Sequence, residues 1–125
     1  MLEAYSLNVT VPAESAIPFN NVSLQKGCTA ILSGAATIQF NKCGIYMVEV
    51  DASSAAAATI QLFKDGVALP QAQSTGTSPS FTCLVQVPEN NSCCPCSSTT
   101  TVNVRNAGAA SATFTNAHIA VTKVV

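Results

Sequence analysis

The segment from Phe40 to Gly66 constrains the fold of this chain more than any other part of the sequence. It contains two short runs of alternating apolar and polar residues, Ile45–Asp51 and Thr59–Phe63, and the second run leads into Asp65-Gly66. Alternation with a period of two is typical of strands with one buried face, and Asp-Gly after such a run favours a tight hairpin turn. The segment therefore predicts short antiparallel strands, with Tyr46, Val48 and Val50 on one face of the first.

Similar runs occur along the whole chain, and no amphipathic helix is predicted. About eight to ten short strands are separated by turn signals roughly every 8–12 residues, which indicates one all-β domain over residues 1–125, a sandwich or a barrel. The segment Ile17–Val22 is predicted to be a strand anchored in the core by Phe19, and the polar stretch Gln71–Ser80 is predicted to be a loop. The first strand is expected to place on one face Tyr5, Leu7, Val9 and Val11.

The chain carries unusually few charges. Only 9% of its 125 residues are charged and its net charge is -1, whereas soluble domains average about 25% charged residues. We therefore predict that other copies of the chain cover part of its surface, the alternative being a monomer with a surface of Ser, Thr, Asn and Gln. Because the five basic residues are scattered, nucleic-acid binding is not expected as the primary role.

The sequence shows no secretory signal at its N-terminus and no apolar run of about 18 residues. We therefore expect neither a membrane-spanning segment nor a membrane partner. We also expect the product to begin at Met1 and to be made in a prokaryotic cytoplasm, by the cell itself or by a virus.

The order of the predicted elements resembles that of the tumour necrosis factor-like jelly roll, the family that also includes the complement globular heads. Ile17-Pro18-Phe19-Asn20 is similar to its short early strand, and Phe40-Asn41-Lys42-Cys43-Gly44-Ile45-Tyr46 is similar to its aromatic-x3-Gly-x-Tyr signature. Thr59–Leu69 resembles the next hairpin with its Asp-Gly turn, and Ala112–Val124 resembles the final strand. The closest resemblance is to the prokaryotic and phage branch, which includes spore-surface glycoprotein tips and phage surface proteins.

This resemblance implies a two-sheet antiparallel jelly-roll sandwich that assembles into a compact homotrimer. Ile45-Tyr46-Met47-Val48 and Ala117–Val125 carry apolar residues on both faces, as expected if one face packs in the core and the other against a neighbouring subunit. Unlike the collagen-stalked members, the chain has no Gly-x-y repeat. The residues expected to pack near the subunit contact are Tyr46, Val48, Phe114 and Ile119.

The chain contains six cysteines, three of which form the local cluster Cys93, Cys94 and Cys96. Three interpretations stay open: free thiols in a reducing cytoplasm, disulfide bonds in a particle that matures outside the cell, and a thiolate metal site shared between protomers. The three clustered cysteines are the candidate metal ligands, although no second Cys-x-x-Cys supplies the remaining ones. No cofactor is predicted.

Two further predictions concern the cysteines outside this cluster. A disulfide between Cys28 and Cys43, or one across a threefold axis, is the form that the second interpretation takes. Cys83 alternates with apolar residues, which predicts a small buried side chain with no chemical role.

The remaining candidate chemistry is sparse. His118, the only histidine, is predicted to be a hydrogen-bonded structural residue, with a general base as the alternative. Glu49 and Asp51 share one strand face, which predicts a solvated or interface-facing pair, the alternative being a cation site or an acid–base pair. Because no nucleophile–base or metal motif accompanies these residues, the sequence does not predict an enzyme.

The sequence therefore predicts a non-enzymatic structural or surface-recognition module. We expect a trimeric phage virion decoration, head-fibre or fibre-tip protein, located on the virion surface and partnered by capsid proteins, fibre proteins or a surface glycan. The alternative is a trimer that binds a small ligand between protomers, either a saccharide or a host-defence signalling nucleotide that it would sequester. A nucleotide site would have to gather the few Lys and Arg side chains from several subunits.

Overall fold

The computed structural model describes residues 1–27, 29–87 and 100–125. Within these ranges the chain forms strands and turns, and no helix is long and apolar enough to cross a bilayer. In chain order the strands are β1 (Leu2–Val11), β2 (Asn21–Gln25), β3 (Ala30–Ser33), β4 (Thr37–Phe40), β5 (Gly44–Ser54), β6 (Ala58–Lys64), β7 (Val67–Gly76), β8 (Ser80–Val87), β9 (Thr101–Asn106) and β10 (Ala112–Lys123).

These strands form two five-stranded sheets. Sheet 1 has the order β2-β1-β10-β5-β8, and sheet 2 has the order β3-β4-β9-β6-β7. All neighbouring strands are antiparallel, and the chain repeatedly crosses from one sheet to the other, as it does between β5 and β6. This connectivity gives a two-sheet jelly-roll sandwich, so the predicted all-β class and architecture are confirmed.

The inward faces of the two sheets meet in one apolar layer. Its largest fully buried side chains include Tyr46, Phe19 and Phe40, and burial alternates along the strands, as in β8. Burying one such side chain contributes about 1.5–3 kcal/mol to folding. The prediction of Phe19 as a core residue is therefore confirmed, although the strand expected over Ile17–Val22 begins only at Asn21.

The predicted face of β1 is wrong in its first half. Tyr5 and Leu7 point outward, whereas Leu2 and Ala4 are buried and Val11 is buried at the far end. The change of phase occurs at Asn8, which has a left-handed backbone with φ 53° and no register partner between its neighbours. This irregularity moves the following residues to the opposite face, which alternation in the sequence does not reveal.

The prediction of a loop over Gln71–Ser80 is also wrong for most of its length. Strand β7 continues to Gly76 and pairs with β6, where the hydroxyls of Thr59 and Thr75 lie 2.8 Å apart. Because β7 is an edge strand of sheet 2, backbone pairing on one side holds it while many of its polar side chains remain in solvent. An edge strand does not require the apolar alternation that the prediction relied on.

The Gly-x-Tyr element has a clear packing role. The rings of Phe40 and Tyr46 pack in a tilted arrangement with centroids 4.4 Å apart, and the Tyr46 hydroxyl donates to the Lys42 carbonyl at 2.7 Å. Gly44 has φ +145°, and the carbonyl of Val125 occupies the space that a Cβ atom would need. A glycine is therefore required where the end of the chain crosses the start of β5.

Replacing Gly44 with alanine should lower the free energy of unfolding by about 2 kcal/mol or more, because strained φ adds to a backbone clash. Gly34→Ala is the matched control, since Gly34 also has positive φ (+73°), but no described atom lies within 4 Å of the position that its Cβ would take. Urea unfolding of both variants measures the difference. Equal losses of stability in the two variants would show that the approach of Val125 is not a constraint.

Candidate functional site

The four residues predicted near the subunit contact lie in the core of one protomer. The side chains of all four are fully buried by the chain itself, within the layer between the two sheets. Alternation identified residues that share a face but not which face turns inward. Any side-chain contact between subunits through sheet 1 must therefore come from the outward residues of the same strands, and not from the buried set Tyr46, Val48, Phe114 and Ile119.

The outer face of sheet 1 combines apolar and polar side chains. Met47 of β5 and Leu84 of β8 are register partners on this face, and Leu84 is 62% exposed. Leu7, on the same face of β1, is 58% exposed. Sheet 1 thus has apolar residues on its solvent side as well as on its core side, a feature of sheets that are covered on both faces.

A cluster of ionisable side chains lies at the centre of this face. The Nε2 atom of His118 is 2.8 Å from Oε1 of Glu3, and Nδ1 is 3.6 Å from Oδ2 of Asp51. The Nδ1 atom is buried and has no hydrogen-bond partner among the residues that the structure describes. His118 is thus hydrogen-bonded, as predicted, but through Nε2 only. Glu49 and Asp51 share the outer face of β5, also as predicted.

The cluster opens onto a shallow recess of about 520 Å³, lined also by Tyr5 and Leu7. The serine of this recess, Ser23, donates to the backbone carbonyl of Glu3 at 3.2 Å and does not pair with His118. The arrangement therefore resembles an ionic patch on an apolar face more than a nucleophile held by a base.

Two of the six cysteines, Cys43 and Cys83, lie within the residues that the structure describes. Cys83 is a free, buried thiol, as predicted, and burial raises the pKa of this thiol above its ordinary value. Cys43 is disulfide-bonded, so the disulfide interpretation applies to this residue. Cys28 of the predicted Cys28–Cys43 pair lies outside the described residues.

The predicted metal ligands Cys93, Cys94 and Cys96 also lie outside the described residues. Within the ranges that the structure describes, no group of three or more His, Cys, Asp or Glu side chains is placed to hold a metal ion.

A second site lies on the outer face of sheet 2 and was not predicted from the sequence. Strands β6 and β9 pair Gln61 with Arg105, and the Arg105 guanidinium carbon lies 4.3 Å from the centroid of the Phe63 ring. Glu14, from the segment that follows β1, completes a pocket of about 430 Å³. The alternation of Gln61 with Phe63 was visible in the sequence, but the register that brings Arg105 beside them was not.

Comparison with solved structures identifies the architecture. The globular domain of zebrafish complement 1qA protein has a TM-score of 0.78, with 10% identity over 99% of this chain and 96% of that one. Murine APRIL, in a crystal structure at pH 5.0, has a TM-score of 0.70, with 8% identity over 98% of both chains. Eiger TNF from S. frugiperda has a TM-score of 0.70, with 12% identity over 99% of this chain and 92% of that one.

The chain has the tumour necrosis factor-like jelly-roll fold. No protein-family model and no curated protein matches the sequence. At 8–12% identity, the likeness to these three structures establishes the fold alone. What this jelly roll binds must therefore be argued from its own two outer faces.

The buried phenol of Tyr46 makes the stability of this jelly roll sensitive to alkaline pH. Burial raises the pKa of the Tyr46 phenol above its ordinary value of 10.0. The neutral phenol is the form that the folded state favours. The contribution of the neutral phenol to the free energy of unfolding is therefore fully present below pH 10.0, the pKa of tyrosine in the unfolded chain. It is lost as the pH rises through the higher pKa of the folded state.

Comparing the free energy of unfolding of the wild type and Tyr46→Phe between neutral and alkaline pH tests this expectation. The variant should be about 1 kcal/mol less stable near neutral pH, because the Lys42 carbonyl loses its donor. Above pH 10.0 the wild type should lose more stability than the variant. Parallel stability curves throughout would contradict the proposed role of the buried phenol.

Proposed function

We propose that the protein is a non-enzymatic structural and surface-recognition module that acts as a homotrimer. The single observation that carries the proposal is the outer face of sheet 1, where Leu7 and Leu84 are more than half exposed beside Met47 and Tyr5. The low proportion of charged residues, 9%, supports the same conclusion, because so little charge hydrates an isolated protomer poorly.

A second copy of the chain is the occupant that best fits this face. Apolar side chains gain free energy when they leave water, at about 25 cal/mol per Å² of buried apolar area. The carboxylates of Glu3 and Asp51 flank His118 at the centre of this face, 2.8 Å and 3.6 Å from its two ring nitrogens. A neighbouring subunit that covers this face must leave these carboxylates in contact with water or supply partners for them, because an unpaired buried charge is costly.

The more specific part of the proposal is a role on the surface of a phage virion, as a capsid decoration, head-fibre or fibre-tip protein. The resemblance of the ordered sequence elements to the phage branch of this fold supports it. Capsid or fibre proteins, or a glycan on a host surface, would then be the partners. Mass spectrometry of purified virions tests this role, and absence of the protein from the particle would rule it out.

The alternative proposal is that the trimer sequesters a small ligand, a saccharide or a signalling nucleotide. The pocket beside Arg105 favours ligand binding of some kind, because it combines a cation, an aromatic ring and polar side chains. The genes next to this one would separate the two roles: capsid and tail genes favour decoration, and defence-related genes favour sequestration.

Replacing Leu84 with aspartate should dissociate the trimer, because it buries a charge in an apolar contact at a cost of several kcal/mol. Val67→Asp is the matched control, since Val67 is 66% exposed but lies in sheet 2. Sedimentation equilibrium at micromolar concentration measures the mass of each variant. The wild type and Val67→Asp should sediment as trimers and Leu84→Asp as a monomer.

A wild type that sediments as a monomer would remove the trimer proposal altogether. A trimer that both substitutions leave intact would instead place the subunit contact away from the outer face of sheet 1.

A further inference from the structure

We infer that the pocket on the outer face of sheet 2 binds a sugar that carries one carboxylate, with Arg105 as its anchor. This inference deepens the surface-recognition function proposed above and rests on that part of it. It does not rest on the trimer, because Arg105, Phe63, Gln61 and Glu14 all belong to one protomer.

Arg105 is held in place while leaving the end of its guanidinium available. Its Nε atom donates to Oδ1 of Asn103 at 3.3 Å, and the planar group lies over the Phe63 ring at 4.3 Å from the centroid. Within the described residues, the two terminal nitrogens make neither a hydrogen bond nor an ion pair. An arginine fixed in this way presents two parallel donors, the geometry that binds a carboxylate through both oxygens.

The neighbouring side chains provide hydrogen-bond acceptors. The Nε2 atom of Gln61 donates to the Leu69 carbonyl at 3.2 Å, so the Oε1 atom of the same amide remains to accept a bond from a ligand. The carboxylate of Glu14 lines the pocket and makes no ion pair with Arg105 among the described residues. A ligand for this pocket therefore needs donors, such as hydroxyl groups, next to its anionic group.

The backbone around the pocket is fixed before any ligand binds. Asn106 is 1% exposed, and its Nδ2 atom donates to the carbonyls of Val11 and Ala110, each at 3.0 Å. The backbone N–H of Glu14 donates to the Asn106 carbonyl at 2.7 Å, which fixes the turn that carries Glu14. A rim ordered in this way reduces the entropy cost of binding.

Charge and size select the class of ligand. Arg105 is the one cation among the described residues that line the pocket, and Glu14 is an anion at the same site. Glu14 repels any anion, but it repels a dianionic phosphate more strongly than a singly charged carboxylate. Phosphate would also leave one charge unpaired beside Arg105, whereas a single carboxylate matches one guanidinium. The pocket volume of about 430 Å³ lies within the range of roughly 300–1,000 Å³ that is typical of small-molecule sites. This volume is larger than a carboxylate group alone requires. A sugar acid satisfies both conditions.

Isothermal titration of the full chain with glucuronic acid, glucose and inorganic phosphate tests the inference. Glucuronic acid and glucose differ in the carboxylate, so glucuronic acid should bind at least about tenfold more tightly, as expected for one charge-assisted contact. Phosphate should bind more weakly than glucuronic acid. Failure of glucuronic acid to bind, or equal binding of glucose or phosphate, would overturn the inference.

Two variants locate the binding to this pocket. Arg105→Lys keeps the charge but loses the paired donors, so it should weaken glucuronic acid binding about tenfold. Lys26→Gln is the control, because it removes a positive charge from an exposed position outside the pocket and should leave binding unchanged. Unchanged binding in Arg105→Lys would contradict the proposed anchor.

Glu14→Gln gives a test that does not depend on the folding of the arginine variant, because the Glu14 residue is exposed. Loss of this carboxylate should reduce the preference for glucuronic acid over phosphate, and an unchanged preference would contradict the proposed selection.

The mass of the wild type in solution is measured separately. A trimer that binds no sugar acid overturns this inference alone, whereas a monomer that binds one overturns only the proposed assembly.

Discussion

The apolar layer between the two sheets is the interaction on which the rest of this structure depends. It is formed by residues from nearly every strand, with Tyr46, Phe40 and Phe114 among its largest side chains. Because a sandwich buries one face of each sheet, it leaves two outer faces whose composition is not constrained by the core. The same layer explains how proteins at 8–12% identity share the fold, since it requires alternation and volume more than particular residues.

The two outer faces then carry different chemistry. On sheet 1, exposed Leu7 and Leu84 share the outer face with a histidine flanked by carboxylates, which suits contact with another protein surface. On sheet 2, an arginine stacked on Phe63 faces a polar pocket, which suits a small ligand. One domain of this design can assemble through one face while the opposite face remains available for recognition.

The sequence predicted much of the fold and little of the sites. Alternation placed Tyr46 and Val48 on one face of β5, and the glycine of the Gly-x-Tyr element proved necessary because Val125 passes over it. Alternation failed at Asn8, where a left-handed residue reverses the face, and along β7, where edge pairing replaces an apolar pattern. Both failures arise because backbone irregularities and edge positions leave no signature in local hydrophobicity.

By itself, the sequence determined the all-β class, the approximate number of strands and, in a regular strand such as β5, which residues share a face, because these depend on a local period of two. The tertiary structure decided which set turns inward, and so moved Tyr46, Val48, Phe114 and Ile119 from a predicted subunit contact to the protomer core. It also decided that Arg105 of β9 lies beside Gln61 of β6. Such pairings join strands distant in the chain, and their register depends on the packing of the whole sandwich.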